Sequence, residues 1–266
     1  MDLQLAGRVV LVTGSWRGTG AGIARVLAAE GATVIVHGLE PGQAAPVAGQ
    51  INATGARALA VSGDIRTEAG AESAAGEALE AAGRVDALVN NYGAAAGRGW
   101  FDGSDAEWLE MYQVNVLSGA RMVRHLVPPM RERGWGRVVF LSTVGSRRPR
   151  AQTPGYYAAK AGLANMAVSL AKELAGTGIT VNTVSPGILG TAEVRERMMQ
   201  RAQRKGWGSD WKEIERRAAT EYMPNFCHRL GAVEEVGSLV AFLVSERAAF
   251  INGADLRIDG GAADCV

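Results

Sequence analysis

The chain has 266 residues, of which 47% are hydrophobic and 21% are charged, and its formal net charge is +1. The length suits one α/β domain over residues 1–266, and the balanced charge points to neither a nucleic-acid partner nor a membrane partner. The two cysteines, Cys227 and Cys265, are too few for a disulfide framework and belong to no metal-type cluster, so we expect no metal. The N-terminal region has no signal-peptide pattern and no apolar span, which predicts a cytoplasmic protein.

Strand-like apolar runs alternate with helical patterns along the whole chain. The predicted strands are Arg8–Val12, Thr33–His37, Arg57–Val61, Ala87–Asn90, Arg137–Leu141, Thr180–Val184 and Asp255–Ile258. Seven strands with helices between them predict a doubly wound parallel sheet of the Rossmann type, covered by helices on both faces. The ligand crevice of such a sheet lies beyond the carboxyl ends of its strands.

A glycine-rich turn follows the first predicted strand and precedes an Ala- and Leu-rich helix. Its pattern is T-G-x-x-x-G-x-G, with glycines at Gly14, Gly18 and Gly20. Glycines at a strand-to-helix turn let the backbone approach a pyrophosphate, and the helix N-terminus supplies N–H donors and partial positive charge. The turn therefore predicts a dinucleotide site.

A tyrosine stands four residues before a lysine in a later helical pattern. Residues four apart share a helix face, so Tyr156 can meet Lys160, whereas Tyr157 looks ahead to Ala161. A nearby ammonium favours phenolate, so the spacing predicts a Tyr156 pKa lowered towards the range of a general acid or base.

With these motifs and several others in order, the chain resembles a short-chain dehydrogenase/reductase of the compact single-domain type. The further matching segments are Val61–Ile65, Asn90–Gly93, Gln113–Val116, Phe140–Gly145 and Pro186–Thr191. The resemblance covers nearly the whole length. It implies hydride transfer between a nicotinamide cofactor and a carbonyl or secondary alcohol.

The resemblance implies four catalytic residues. Tyr156 would exchange the proton, Lys160 would favour phenolate and bind the nicotinamide ribose, and Asn115 would position Lys160 through a water. Ser142 would hold the substrate oxygen. Ser142 is preferred to Thr143 because Gly145 follows it by three residues, as in relatives.

The resemblance also implies the residues that bind the cofactor. They are Gly14, Ser15, Arg17, Gly18, Thr19, Gly20, Asp64, Ile65, Asn91, Gly93, Tyr156, Lys160, Leu189 and Thr191. NADP is favoured over NAD, because Gly38 stands where a ribose-binding carboxylate would indicate NAD. Arg17, with His37 nearby, resembles a 2′-phosphate site, while Glu40 leaves NAD as the alternative.

Substrate information is concentrated in residues 192–230, a segment longer than the minimal family pattern. It carries Met198, Met199, Trp207, Trp211, Tyr222, Met223 and Phe226, interleaved with arginines. One interpretation is a pair of amphipathic helices with tryptophans as core. The other is a substrate lid over a fairly large apolar substrate, cyclic, aromatic or steroid-like. Trp100 and Phe101 could extend that wall or form a subunit contact.

Two alternatives stay open. A 3-oxoacyl-carrier-protein reductase shares the Tyr-Ala-Ala-Lys-Ala-Gly-Leu helix but has no such long insertion, and a non-catalytic nicotinamide-binding sensor would typically lose part of the Ser142, Tyr156 and Lys160 set. Among relatives a homotetramer is the commonest assembly, so we expect a homotetramer or homodimer acting on a small molecule.

Overall fold

The computed structural model describes residues 2–263, so Cys265 lies outside the described part of the chain. Its seven strands are β1 (Val9–Val12), β2 (Thr33–Gly38), β3 (Ala58–Ser62), β4 (Ala87–Asn90), β5 (Gly136–Leu141), β6 (Ile179–Pro186) and β7 (Asp255–Ile258). All neighbours pair in parallel, in the order β3-β2-β1-β4-β5-β6-β7. The predicted Rossmann-type sheet is confirmed, with strand bounds within two residues of those expected.

The helices lie on both faces of this sheet. They are α1 (Gly18–Ala29), α2 (Ala45–Asn52), α3 (Glu68–Ala82), α4 (Asp105–Tyr112), α5 (Ser118–Glu132), α6 (Pro154–Glu173), α7 (Ala192–Lys205), α8 (Trp211–Arg217) and α9 (Val233–Leu243). One core packs α1, α2 and α9 against the sheet, and a second core packs α3, α5 and α6 on the opposite face. Because both faces are covered, β1, β4 and β5 are buried along their whole length, and β1 reads as an unbroken apolar run.

The strand order reverses between β1 and β4, the place where doubly wound sheets bind ligands. The glycine turn follows β1, and the segment Asn91–Ala95 follows β4. Asn91 joins the two, because its Nδ2 donates to the carbonyl oxygens of Thr13 at 2.8 Å and Gly14 at 3.1 Å. The topology thus assembles one site from segments far apart in sequence.

The segment between β6 and α9 forms a small unit with a core of its own. Helices α7 and α8 and a π-helical turn at Ala218–Tyr222 bury Met198, Trp207 and Ile214 against one another. Trp211 packs on the edge of the same cluster. The tryptophans of residues 192–230 are therefore structural, as the first of the two interpretations expected.

Two kinds of feature are absent from residues 2–263. No helix in this range is long and apolar enough to cross a bilayer. The same range has no group of three or more His, Cys, Asp or Glu side chains arranged to hold a metal ion.

Candidate active site

A cleft of about 820 Å³ opens at the carboxyl ends of the strands, between the glycine turn and α7. The predicted site residues that line it are Gly14, Arg17, Gly18, Thr19, Gly20, Asn91, Gly93, Ser142, Tyr156, Lys160, Leu189 and Thr191. The other four, Ser15, Asp64, Ile65 and Asn115, lie outside its lining. Trp100 and Phe101 also lie outside it and are largely exposed, with Trp100 packed on Trp108 at a centroid distance of 5.4 Å.

The glycine turn forms a cradle for two different physical reasons. Gly14 and Gly18 have φ angles of +62° and +54°, which L side chains rarely adopt. Gly20 is required by close approach, because a Cβ there would stand 2.5 Å from both the Asn91 Nδ2 and the Gly14 oxygen. The cleft can therefore admit a phosphate against bare backbone at the N-terminus of α1.

His37 and Ser15 support this turn from beneath. The His37 Nδ1 accepts from the Gly14 N–H at 3.0 Å, and its Nε2 donates to the Gly63 oxygen at 3.0 Å. Ser15 Oγ donates to the Val12 oxygen at 2.7 Å and accepts from the His37 N–H at 2.9 Å. Burial lowers the pKa of His37 to about 4, so the ring is neutral at physiological pH.

The expectation that His37 lies beside a 2′-phosphate is therefore corrected: its ring is buried, uncharged and fully engaged. Because its folded pKa of about 4 lies below the usual histidine pKa of 6.5, His37 stabilises the fold above pH 6.5. That contribution is lost as the pH falls towards 4.

Asp64 and Ile65, which the resemblance assigns to the adenine of the cofactor, occupy the rim and the core rather than the cleft wall. Both oxygens of Asp64 accept from Arg66, at 2.8 Å each, and this hydrogen bonding lowers the Asp64 pKa. Ile65 is fully buried among core residues. Asp64 is thus already partnered, and Ile65 holds the rim in place by packing.

Tyr156 lines the cleft, and burial raises the pKa of its phenol to about 12. A side-chain hydrogen bond with Thr143 acts in the opposite direction, to lower that pKa. The prediction that Lys160 lowers the Tyr156 pKa is therefore corrected. Lys160 turns its ammonium to the Leu141 carbonyl at 2.7 Å instead.

The two adjacent hydroxyls after β5 have different partners. Ser142 Oγ is buried and donates to the Lys160 carbonyl oxygen at 2.8 Å. Thr143 has an extended backbone, φ −158° and ψ 152°, so its side chain points the other way and meets Tyr156. The hydroxyl beside the candidate acid is that of Thr143, in the place where the sequence favoured Ser142.

Lys160 and Asn115 converge around Gly93. A Cβ on Gly93 would stand 2.6 Å from Asn115 Oδ1 and 2.9 Å from Lys160 Nζ. Asn115 lies in a π-helical turn at Gln113–Leu117, where its Nδ2 donates to the Met111 and Ala94 carbonyl oxygens at 3.0 Å each. Burial lowers the Lys160 pKa to about 8.

Several cleft residues escaped the sequence analysis because only tertiary structure brings them there. Trp16 and Tyr92 line the cofactor end, with ring centroids 6.3 Å apart. Tyr157 lines the other end, together with Tyr222 of the 192–230 segment. The resembling family usually has alanine where this chain has Tyr92, and that difference was a signal in the sequence.

The residues present fit a dinucleotide. Bare backbone at the glycine turn suits phosphates, and Arg17 reaches the cleft with only a 3.9 Å ion pair to Glu193. After β2, Leu39 lines the cleft, whereas Glu40 does not. The residues that would hold the nicotinamide half are Tyr156, Lys160, Leu189 and Thr191, all on the cleft wall.

Comparison with known proteins agrees with this site. A family model described as short chain dehydrogenase matches residues 8–202. The uncharacterized oxidoreductase YvaG of Bacillus subtilis is 36% identical over 262 residues, which is 98% of each chain. The 3-oxoacyl-[acyl-carrier-protein] reductase of Aquifex aeolicus is 33% identical over 265 residues, or 98% of this chain and 99% of the relative.

Among solved structures, L-sorbose reductase from Gluconobacter frateurii, complexed with NADPH and L-sorbose, superposes with a TM-score of 0.92. It shows 30% identity, and the match covers 100% of both chains. The length of the family match, the sequence identity and the similarity of the fold all indicate the same family. The chain belongs to the short-chain dehydrogenase family.

Proposed function

We propose that this protein reduces a ketone to a secondary alcohol with NADPH, reversibly. The observation that carries the proposal is that Tyr156, with Thr143 beside it, and Lys160 line the same cleft as the glycine turn. A candidate proton donor and a candidate dinucleotide cradle thus share one cavity. A sensor without chemistry would not need a half-buried donor and a buried amine in one cleft, so the enzyme is favoured over that alternative.

Tyr156 is the proposed general acid. Its pKa of about 12 keeps the phenol protonated at neutral pH, so the proton is available as negative charge develops on the substrate oxygen. When bound, the nicotinamide supplies the hydride. The Thr143 hydroxyl, next to the phenol, would hold the same oxygen, which is the role the sequence analysis gave to Ser142.

Lys160 and Asn115 would return a proton to Tyr156. The Lys160 ammonium is buried and its pKa of about 8 makes it a donor near neutral pH. Asn115 meets the same glycine, so it can position Lys160. Ser142 would act indirectly, by fixing the backbone of α6 at Lys160.

NADPH is proposed over NADH on two observations. Arg17 lines the cleft beside the glycine turn, and no carboxylate follows β2 in the lining of the described cleft. The L-sorbose reductase complex contains NADPH, and a 34% identical 3-oxoacyl reductase from Agrobacterium tumefaciens was solved with NADP bound. Both observations favour a 2′-phosphate site at Arg17.

The substrate proposal is adjusted by what residues 192–230 do. Their tryptophans pack in or against the core of this segment, which removes most of the support for a large apolar substrate. L-sorbose, bound by the 30% identical reductase, is a polar ketose. A 3-oxoacyl substrate stays the alternative on the resemblance to the Aquifex aeolicus enzyme.

Fluorescence titration with NADPH and NADH tests the cofactor assignment. Wild type should bind NADPH more tightly, and Arg17→Gln should lose that preference by about tenfold, the worth of one charge-assisted contact. Arg25→Gln is the matched control, since Arg25 bonds Gln50 on the exposed side of α1. Tighter NADH binding, indifferent to Arg17, would contradict the assignment, and binding of neither would overturn the enzyme.

A further inference from the structure

Helix α7 presents a basic face to the cleft. Seven residues of α7 line the cleft, and five of them recur at helical spacing and so share one side of the helix: Val194, Arg197, Met198, Arg201 and Arg204, with Glu193 and Gln200 beside them. Three of the five are arginines. This face was hidden in the sequence, where the arginines are interleaved with methionines.

Arg201 is the most constrained of these arginines. Its guanidinium lies 3.8 Å from the centroid of the Tyr222 ring, and its Nε is buried without a hydrogen-bond partner. Arg150 approaches the same ring at 4.4 Å and donates to the Tyr222 carbonyl. Two guanidinium groups therefore meet around one aromatic ring at the end of the cleft.

Negative charge is scarce around this group. Within residues 2–263, no carboxylate forms an ion pair with Arg197, Arg201 or Arg204, and the one lining carboxylate, Glu193, is shared between Arg17 and Arg197 electrostatically. The residues four before and four after Arg201 on α7 are Arg197 and Lys205, both cations. Like charges at this spacing destabilise a helix, and a bound anion would relieve the repulsion.

Arg201 lies on the substrate side of the cleft. Arg201 stacks on Tyr222, and Tyr222 is near enough to Tyr157 to raise the Tyr157 pKa electrostatically. The centroid of the Tyr157 ring in turn lies 5.3 Å from that of Tyr156. Arg17, in contrast, belongs to the glycine turn at the cofactor side. A negative group bound at Arg201 would thus belong to the molecule whose oxygen meets Tyr156.

We propose that the substrate is a ketone or secondary alcohol carrying an anionic oxygen group, a carboxylate or a phosphate, which Arg201 binds at the α7 end of the cleft. This rests on the proposed reductase function. Guanidinium groups bind both anions through paired N–H donors, so the chemistry is shared and the experiment separates the two.

The test compares three ketones that differ only at one end: a keto acid, its methyl ester and the corresponding phosphate monoester. NADPH oxidation by wild type should favour an anion over the ester by about 10- to 100-fold in kcat/KM, mostly through KM. The anion that wild type prefers shows whether the bound group is a carboxylate or a phosphate. Arg201→Gln should reduce that preference about tenfold or more, and Arg201→Lys should restore part of it.

Arg195→Gln is the matched control. Arg195 is on the same helix but stacks on Trp211 at 4.5 Å, outside the cleft lining, so the preference should stay within about twofold. Equal rates for ester and anions in wild type, or an unchanged preference in Arg201→Gln, would overturn the anion site while leaving the reductase intact.

Failure of the reductase gives a different result. In that case no ketone is turned over and no NADPH is bound. If NADPH binds but none of the three ketones reacts, thermal shifts of the NADPH complex decide the anion proposal. A shift by the carboxylate or the phosphate that Arg201→Gln abolishes supports it, and no shift by either overturns it.

Discussion

The two ends of the cleft are built in different ways. At the glycine turn the cleft wall is mostly backbone, held by the neutral His37 ring and by Asn91, with Arg17 at its edge. At the α7 end they are side chains: Tyr222, Arg201 and Arg150. A surface made of backbone is fixed by glycine positions that the sequence displays, whereas a surface made of side chains depends on which way each helix faces.

At the glycine turn, the largest effect is expected from adding one carbon atom to Gly20. Gly20→Ala would place a Cβ 2.5 Å from the Gly14 oxygen, and backbone cannot move aside cheaply. We expect NADPH affinity to fall by about 10- to 100-fold, the equivalent of a typical overpacking cost. Isothermal titration calorimetry measures it.

Gly76→Ala is the matched control for that substitution. Gly76 lies inside α3, and a Cβ there meets nothing within 4 Å. Alanine should stabilise the protein by about 0.5–1 kcal/mol and leave NADPH binding unchanged. Unaltered NADPH affinity in Gly20→Ala would mean that the cofactor does not approach this backbone.

Between the two ends, Lys160 should trade stability for function. Lys160 is buried, and burial lowers its pKa from 10.5 to about 8, so keeping it charged at pH 7 costs stability. Lys160→Met should therefore abolish ketone reduction and raise the free energy of unfolding by about 1–3 kcal/mol, after loss of the Leu141 hydrogen bond.

The pH dependence of that difference has a definite sign. Between pH 8 and 10.5 the unfolded chain binds more protons at Lys160 than the folded chain, so wild-type stability rises with pH. The gain in unfolding free energy of Lys160→Met over wild type should be full below pH 8 and shrink above it. Denaturant titrations measure the unfolding free energies of wild type and Lys160→Met at each pH, with Lys172→Met, at an exposed position of α6, as control. Destabilisation of the protein by Lys160→Met at pH 7 would show that the Lys160 ammonium stabilises the fold.

The sequence predicted most of the fold and the position of the glycine turn. Unbroken apolar runs such as Val9–Val12 indicate strands buried on both faces, and the glycine spacing marks the turn that follows. The short-chain dehydrogenase prediction is likewise confirmed by the family match. These features depend on local pattern, which a single sequence contains.

What the sequence left open depends on side-chain direction. Successive residues of an extended segment point to opposite sides, so a one-residue choice between Ser142 and Thr143 reverses which hydroxyl meets Tyr156. The prediction that Lys160 lowers the Tyr156 pKa was wrong for a similar reason. The spacing indicates a shared helix face, but the Lys160 ammonium donates to the Leu141 carbonyl oxygen on β5 instead. The packing of α6 against the sheet decides both which hydroxyl meets Tyr156 and which group the Lys160 ammonium bonds.

The measurement that tests the account most directly is kcat for NADPH-dependent ketone reduction in Thr143→Val and Ser142→Ala. The account predicts that Thr143→Val loses about 10²- to 10³-fold, the usual effect of removing one donor to a developing oxyanion. Ser142→Ala should lose less than about tenfold and lower the unfolding free energy by about 1 kcal/mol, because its bond to the Lys160 carbonyl is structural. The reverse pattern, a near-inactive Ser142→Ala beside an active Thr143→Val, would contradict the account.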